Sequence, residues 1–308
     1  MGVDYKYDYD ASVIVLSYNQ ENFIFDTLNS IEIQDLDSIQ VVVGDDASVD
    51  STTDIISKFS ESSRHDYVKI FRKENVGITE NFNACLSNCK GKYIFLLGGD
   101  DLFLDNKMKL QFEYMNFNPD VFISFHDAYI FDSNTGRTLL KYSDLFNVTE
   151  LSVESLIRHG TFFTGCTVAV RNFENIPKCN WRIKFSSDWL WYIEVLISSG
   201  GKLGEIDSVL AKYRRHISNI TSTKNFKLAY IETEKSLNHV LESYPEYEIV
   251  AREALAERQF AYFLKGLFGK NLNWSLALLL RSLNNSILSP LFFLKLRFNS
   301  LSYRLRKK

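Results

Sequence analysis

The 308-residue chain, 45% hydrophobic and 24% charged, has the make-up of a soluble globular protein, with room for one large domain or a domain and an appendage. Its four cysteines, Cys85, Cys89, Cys166 and Cys179, include no CxxC pair and no neighbouring His, which excludes a disulfide scaffold and favours buried thiols in a reducing compartment over a zinc centre. The net charge of −3 is uneven: no acidic residue follows Glu257 but ten Lys and Arg do, leaving a body of −13 that argues against nucleic acid and a basic, Phe- and Leu-rich tail.

Met1 to Asp10 is polar and acidic, so no signal peptide is expected. No apolar run approaches the ~20 residues of a membrane span. Ser12 to Leu16 reads as a buried strand, and Asn19 beyond it can cap a helix whose apolar face is Ile24, Leu28 and Ile31. Ile39 to Val43 is a second strand, ending in Gly44-Asp45-Asp46-Ala47-Ser48, and Ser51-x-x-Asp54 opens the next helix. Val68 to Phe71 is a shorter strand. Ile78, Phe82 and Leu86 share one face of a helix leading to Tyr93-Ile94-Phe95-Leu96-Leu97, a run too short for a helix and apolar throughout, as in a strand buried on both faces. The alternation βαβαβαβ predicts an α/β fold with a mostly parallel sheet, right-handed crossovers and helices on both faces.

That last strand runs into Gly98-Gly99-Asp100-Asp101, so two strands of one sheet end in Gly-Asp-Asp or its equivalent. A single such stretch reads equally well as an acidic turn with a capping aspartate. Two at the same sheet edge point to a ligand, because open α/β sheets bind ligands beyond the carboxyl ends of their strands. Neither GxGxxG nor GxxxxGK[ST] is present. Acids cannot hold phosphate directly, but a divalent cation, Mn2+ or Mg2+, between carboxylate and diphosphate resolves the conflict.

Farther along, Asp105 is expected to cap a helix through Met115, and Val121 to Phe125, Thr164 to Val170 and Ser208 to Tyr213 are expected strands. Asp188 opens a helix, where a plain N-cap is the alternative to a catalytic role. Arg214, Arg215 and His216 are the one place in the body where two cations and a His adjoin. Asn225 to Leu241 and Glu246 to Phe268 read as helices separated by Pro245, followed by the basic stretches Trp274 to Leu283 and Leu291 to Leu305.

Taken together, these stations resemble a family 2 glycosyltransferase of the GT-A fold, over about residues 10 to 222. Ser17-Tyr18-Asn19 matches the first loop and Asp45-Asp46-Ala47-Ser48 the nucleotide-holding DDxS segment. Asn75-x-Gly77, Asn81-x-Asn83 and Lys90 to Ile94 match the helix and strand before the metal motif. Gly98-Gly99-Asp100-Asp101 stands where many members carry DxDD, with Gly98 in place of the first acid. Ser187-Asp188 stands at the general base, and Tyr213-Arg214-x-His216 resembles the YRxH segment.

The resemblance implies a Rossmann-like catalytic domain over 1–222 and a helical, basic extension over 223–308. It implies a nucleotide-sugar donor, of the UDP-hexose kind, held by Ser17, Tyr18, Asn19, Asp45, Asp46, Asn81, Asp100 and Arg214. Asp101 and His216 would hold the metal, and Asp188 would take the acceptor proton in a single inverting displacement. The implied acceptor is a lipid-linked or oligosaccharide hydroxyl in surface polysaccharide (O-antigen or capsule) synthesis, with the chain cytoplasmic and its tail on an anionic membrane surface. The competing readings are a metal-dependent nucleotidyltransferase, which would bring a Gly- and Lys-rich loop that Leu16 to Glu21 lacks, and an inactive sugar-nucleotide or glycan-binding module.

Overall fold

The structure is a computed structural model, describing residues 6–146, 148, 150–180, 182–184, 187–216, 226–268, 272–288 and 291. Four strands, β1 (Tyr9–Ser17), β2 (Ile39–Asp45), β3 (Asp66–Phe71) and β4 (Gly91–Gly98), alternate with helices α1 (Ile24–Glu32), α2 (Thr52–Ser62) and α3 (Ile78–Leu86). They pair in parallel, in the order β3-β2-β1-β4, with Val13 opposite both Val41 and Phe95. The central strands are buried on both faces, as their unbroken apolar runs require: Val13, Val15, Val41, Val43 and Phe95 have no exposed surface. Each such side chain contributes about 1.5 to 3 kcal/mol by leaving water. The helices supply the covering layers, α1 through Ile24, Leu28 and Ile31, and α3 through Phe82, Cys85 and Leu86.

Beyond β4 the sheet becomes mixed. A two-residue strand β5 (Leu102–Phe103) precedes α4 (Lys107–Phe117), β6 (Val121–Asp132), β7 (Thr138–Lys141), α5 (Val153–His159), β8 (Ala169–Arg171), α6 (Ser187–Ser199) and β9 (Lys202–Arg215). Short β8 lies antiparallel between β4 and β6, β6 runs parallel to β9, and β5 pairs antiparallel with the far side of β9. β9 is thus longer than the expected Ser208 to Tyr213. The expected strand at Thr164 is largely a 3-10 turn, Gly165–Thr167, before β8 begins.

Three expected side-chain caps are absent, the first at Ser51, which precedes α2 without a capping hydrogen bond. Asn19 sits in the left-handed region at φ 52°, and α1 starts only at Ile24. α4 begins after Asn106, itself left-handed at φ 62°, with no side-chain cap.

The chain divides into two compact units, 1–153 with 161–222, and 154–160 with 223–308. In the second, α7 (Phe226–Ser243) and α8 (Glu248–Phe268) are separated by a 3-10 turn that starts at Pro245, where a missing N–H costs nothing, and α9 (Leu272–Asn285) follows. Arg158 of α5 joins this unit by pairing with Glu253 and, at 3.3 Å, Glu257. Ser282 of α9 donates to the Ala256 carbonyl of α8 at 2.7 Å. The tail expected to carry the basic amphipathic stretch, from Phe292 on, lies outside the described residues. No described helix is long and apolar enough to cross a membrane.

Candidate active site

The parallel pairing brings the carboxyl ends of β1, β2 and β4 side by side, with Ser17 opposite Asp45 and Leu16 opposite Gly98. Asp45 is fully buried and accepts hydrogen bonds from Ser17 Oγ (2.8 Å), Ser48 N (2.8 Å) and Ser48 Oγ (2.6 Å). Asn19 joins the same knot: its N–H donates to Ser48 Oγ (2.8 Å) and its Oδ1 accepts from Val49 N (2.9 Å). Asp46 accepts from the backbone N–H groups of Val76 (2.8 Å) and Gly77 (2.9 Å). The paired acids therefore divide the work, one tying the first two loops together and the next holding the loop before α3.

Asn81, one turn into α3, donates through Nδ2 to the Gly44 carbonyl at 2.8 Å, which fixes the direction of its amide. Gly44 is required there, because a Cβ would stand 2.5 Å from both Asn81 Oδ1 and Cys85 Sγ.

At the end of β4 the chain turns through Gly98 to Asp101. Asp101 Oδ1 accepts the backbone N–H of Arg214 at 2.9 Å, and His216 Nε2 lies 2.8 Å from Asp100 Oδ2. Asp100 Oδ1 and Asp101 Oδ2 both face the place a Gly98 Cβ would occupy, at 2.8 and 3.5 Å. Glycine instead of an acid at 98 thus leaves the two carboxylates room to converge. Burial first, then the Asp100 charge, pushes the Asp101 carboxyl well above the usual carboxylate range. Arg214 is inward-facing: Nε donates to the Asp100 carbonyl at 2.7 Å, and its guanidinium lies between the rings of Phe23 and Phe131, 4.8 and 4.7 Å from their centroids.

α6 forms the facing wall. Its first residue, Ser187, is tied to α3 by Thr79 Oγ1, which lies 3.0 Å from Ser187 Oγ and donates to the Ile183 carbonyl at 2.8 Å. Asp188 opens onto the cleft and accepts the Trp189 N–H at 2.9 Å. Enclosure by the surrounding protein raises its carboxyl above the ordinary aspartate value.

These walls bound a cavity of about 650 Å³ within the first unit. Of the residues expected at the site, Ser17, Tyr18, Asn19, Asp46, Asn81, Asp100, Asp101, Asp188 and His216 line it, whereas Asp45 and Arg214 stand behind it. Sequence reasoning missed Gln20, Lys184 and Tyr192, which also line it. Only Tyr192 carried a signal, standing one helical turn after Asp188.

Among the described residues no group of three or more His, Cys, Asp or Glu is arranged to hold a metal ion. The donor set instead fits a Mg2+ or Mn2+ ion completed by its ligand: two carboxylate oxygens converge over Gly98 with an imidazole beside them, and such ions commonly take one or two carboxylates plus substrate phosphates.

Solved structures share this fold. The Staphylococcus aureus TarS 1-349 structure in complex with UDP-GlcNAc superposes with a TM-score of 0.67 at 17% identity, covering 91% of this chain and 81% of that one. The mannosyltransferase PcManGT from Pyrobaculum calidifontis, in complex with GDP-Man and Mn2+, gives 0.61 at 16% identity over 97% and 82%. By sequence, an uncharacterized protein of Mycobacterium tuberculosis is 29% identical over 213 residues, 68% of this chain and 60% of that one. An uncharacterized glycosyltransferase of Rickettsia conorii is 30% identical over 220 residues, 70% of this chain and 34% of its own length. The chain thus spans less than two thirds of the length of these two sequence relatives. The profile of glycosyl transferase family 2 matches residues 12–176, more than half of the chain, including the ends of β1, β2 and β4 but not Asp188 or the Arg214–His216 end of β9, so the chain belongs to that family.

Proposed function

We propose that this protein is an inverting glycosyltransferase that moves a hexose from a nucleotide-sugar donor, of the UDP class, to an acceptor hydroxyl. The observation that carries the reading is the convergence on one cavity of Asp46 and Asn81, the Asp100–Asp101 turn with His216, and Asp188 on the opposite wall. Tyr18, Asn19, Asp46 and Asn81 would receive the nucleoside. Asp45, fully buried behind them, and Arg214, packed under the Asp100–Asp101 turn, would act by holding those walls in place.

Asp101, Asp100 and His216 would hold Mn2+ or Mg2+, which when bound neutralises charge developing on the leaving diphosphate. Asp188 would accept the proton of the acceptor hydroxyl as that oxygen attacks the anomeric carbon from the face opposite the diphosphate. One displacement inverts the centre, so an α-linked donor yields a β-linked product. The raised Asp188 carboxyl supports the role, since a stronger base takes the proton more readily.

The acceptor we propose is a lipid-linked or oligosaccharide hydroxyl in surface polysaccharide synthesis, with catalysis assigned to 1–222 and peripheral attachment to a cytoplasmic anionic leaflet assigned to 223–308. In support, α9 buries Ser275, Leu278 and Ser282 while Leu276, Leu280 and Leu283 are 40 to 69% exposed, so three of its leucines face outward while two serines face inward. The ten Lys and Arg after Glu257 match an anionic surface.

The test is a panel of UDP-, GDP- and TDP-sugars, scored first for thermal shift with and without Mn2+ and then for transfer and donor hydrolysis. A Mn2+-dependent shift with one nucleotide class, followed by turnover, is expected. A shift without turnover would make the chain a binding module, and release of pyrophosphate from a nucleoside triphosphate would make it a nucleotidyltransferase.

A further inference from the structure

Seven buried side-chain nitrogen or oxygen atoms have no hydrogen-bond partner among the described residues, and three of them, Gln20 Oε1, Asn81 Oδ1 and Tyr192 OH, belong to residues that line the active-site cavity. A buried polar group without a partner costs about 1 to 3 kcal/mol, so such a concentration marks surfaces that a ligand completes. Gln20 and Asn81 stand on the wall made by the ends of β1 and β2 and by α3. Tyr192 stands alone on the other wall.

We propose that the Tyr192 hydroxyl binds a hydroxyl of the transferred sugar and so selects which sugar the enzyme moves, an inference that rests on the nucleotide-sugar reading above. Tyr192 follows Asp188 by four residues on α6, so the two occupy one helix face, a turn apart. If Asp188 serves the attacking oxygen at the anomeric carbon, the group one turn along the same wall meets the sugar ring rather than the nucleoside, whose side of the cavity carries Asp46 and Asn81. The titratable groups around Tyr192 are Asp188, Cys179, Cys166 and Tyr142; none belongs to the Asp45–Asp46 wall, and Cys166 in turn touches Asp101, so Tyr192 lies toward the Asp188 and Asp101 end of the cavity.

The ring is 1% exposed and held by its neighbours, with Phe163 edge-on at 5.2 Å and Trp191 tilted at 5.5 Å. Trp191 is itself anchored by its indole N–H to the Pro177 carbonyl at 2.7 Å. A phenol fixed in this way presents its oxygen at one point, which is what discrimination between epimers requires. Burial, with Asp188 beside it, raises the Tyr192 phenol well above its ordinary value, so it remains protonated and can donate.

The experiment compares wild type with Tyr192→Phe, using the UDP-sugar that wild type turns over best, its epimers, and its deoxy analogues lacking one ring hydroxyl each. The variant should keep or slightly raise the melting temperature, because it removes a buried unpartnered oxygen. It should lose about tenfold in kcat/KM with the parent donor, the size of one neutral hydrogen bond, and nothing with one particular deoxy donor. Wild type should reject the epimer at that position by a similar factor, and the variant should not. Unchanged kcat/KM, an equal loss with the parent and every deoxy donor, a loss confined to acceptor KM, or failure of the variant to fold would each overturn the assignment. Wild-type protein that binds no nucleotide sugar would remove the donor reading and this inference with it, whereas active wild type with an indifferent variant removes this inference alone.

Discussion

His216 Nε2 lies 2.8 Å from Asp100 Oδ2 across 116 residues of sequence, and two residues earlier the Arg214 N–H is bonded to Asp101 Oδ1. The end of β9 thereby grips both acids of the turn after β4. Two backbone-distant strands must be in register before either carboxylate is aimed, which makes the pair sensitive to small changes at Gly98.

Gly98→Ala is the sharpest probe of that arrangement. Gly98 does not have a positive φ, so alanine is conformationally admissible, yet its Cβ would stand 2.8 Å from Asp100 Oδ1. The expected cost is about 1 to 3 kcal/mol of overpacking, relieved by turning Asp100 away from His216. Thermal shift should show a folded protein whose response to Mn2+ and UDP is much reduced. Asp101→Asn should abolish Mn2+-dependent transfer altogether. A full Mn2+ response in both variants would dismiss this turn as the cation site.

Asp188→Asn keeps an oxygen for the Trp189 N–H, so the start of α6 should survive. Donor binding should be nearly unchanged while turnover falls by ~10² to 10⁴-fold, the usual worth of acid–base catalysis. Because enclosure in the cleft raises the Asp188 carboxyl, the acid limb of kcat/KM should lie above the ordinary aspartate range and be missing in the variant. A variant that unfolds yet retains activity per folded molecule would reduce Asp188 to a helix cap.

Lys107 offers a prediction about stability rather than chemistry. It is fully buried, with Nζ donating to Gln111 Oε1 at 2.6 Å and lying 4.5 and 4.1 Å from the ring centroids of Phe95 and Phe103. The ring faces favour the ammonium form, but removal from water outweighs them and drives the amine well below its ordinary value. Between the lowered and ordinary values the unfolded chain binds one more proton than the folded chain, so stability rises with pH. Denaturant unfolding between about pH 7 and pH 9 should show wild type gaining stability relative to Lys107→Met. Parallel pH dependences would mean that Lys107 is protonated inside the fold.

Attachment to a membrane weighs charge against apolar contact. Each Lys or Arg near an anionic leaflet contributes ~1 kcal/mol, so Arg304, Arg306, Lys307 and Lys308 supply about 4 kcal/mol before screening, which is millimolar binding by itself. The exposed Leu280 and Ile287, and Phe292, Phe293, Leu294, Leu296 and Phe298 in sequence beyond them, must add to it. Intact protein should sediment with anionic liposomes, weakened by high salt but not abolished, and a chain ending at Ser289 should sediment far less. Equal pelleting of the two, or none with the intact chain, defeats the proposal.

The sequence by itself determined the first half of the fold and the location of the site. Runs such as Val41-Val42-Val43 and Ile94-Phe95-Leu96 can be buried on both faces only in a central strand, and the 3.6-residue spacing of Ile24, Leu28 and Ile31 specifies a covering helix; both signals are local and survive in one dimension. Acids after two such strands then had to meet at one sheet edge. Local signals also misled: Asn19 is an ordinary capping residue that instead bonds Val49 and Ser48, and α4 starts beyond Asp105, after Asn106, with no side-chain cap.

Only the tertiary structure decided which acids face the cavity. Asp45 and Asp46 are neighbours of the same type, yet one is consumed by Ser17 and Ser48 while the other lines the cavity. Arg214 turns inward to stack between Phe23 and Phe131 and leaves His216 to meet Asp100. The insertion of β8 between β4 and β6, which brings Cys166 and Gly165 to the cavity, and the packing that locks Tyr192 beside Asp188 depend on pairings between distant segments. Hydrogen bonds and ring contacts of that kind are set by which strands lie side by side, and the order β3-β2-β1-β4-β8-β6-β9-β5 is a property of the assembled sheet rather than of any stretch of chain.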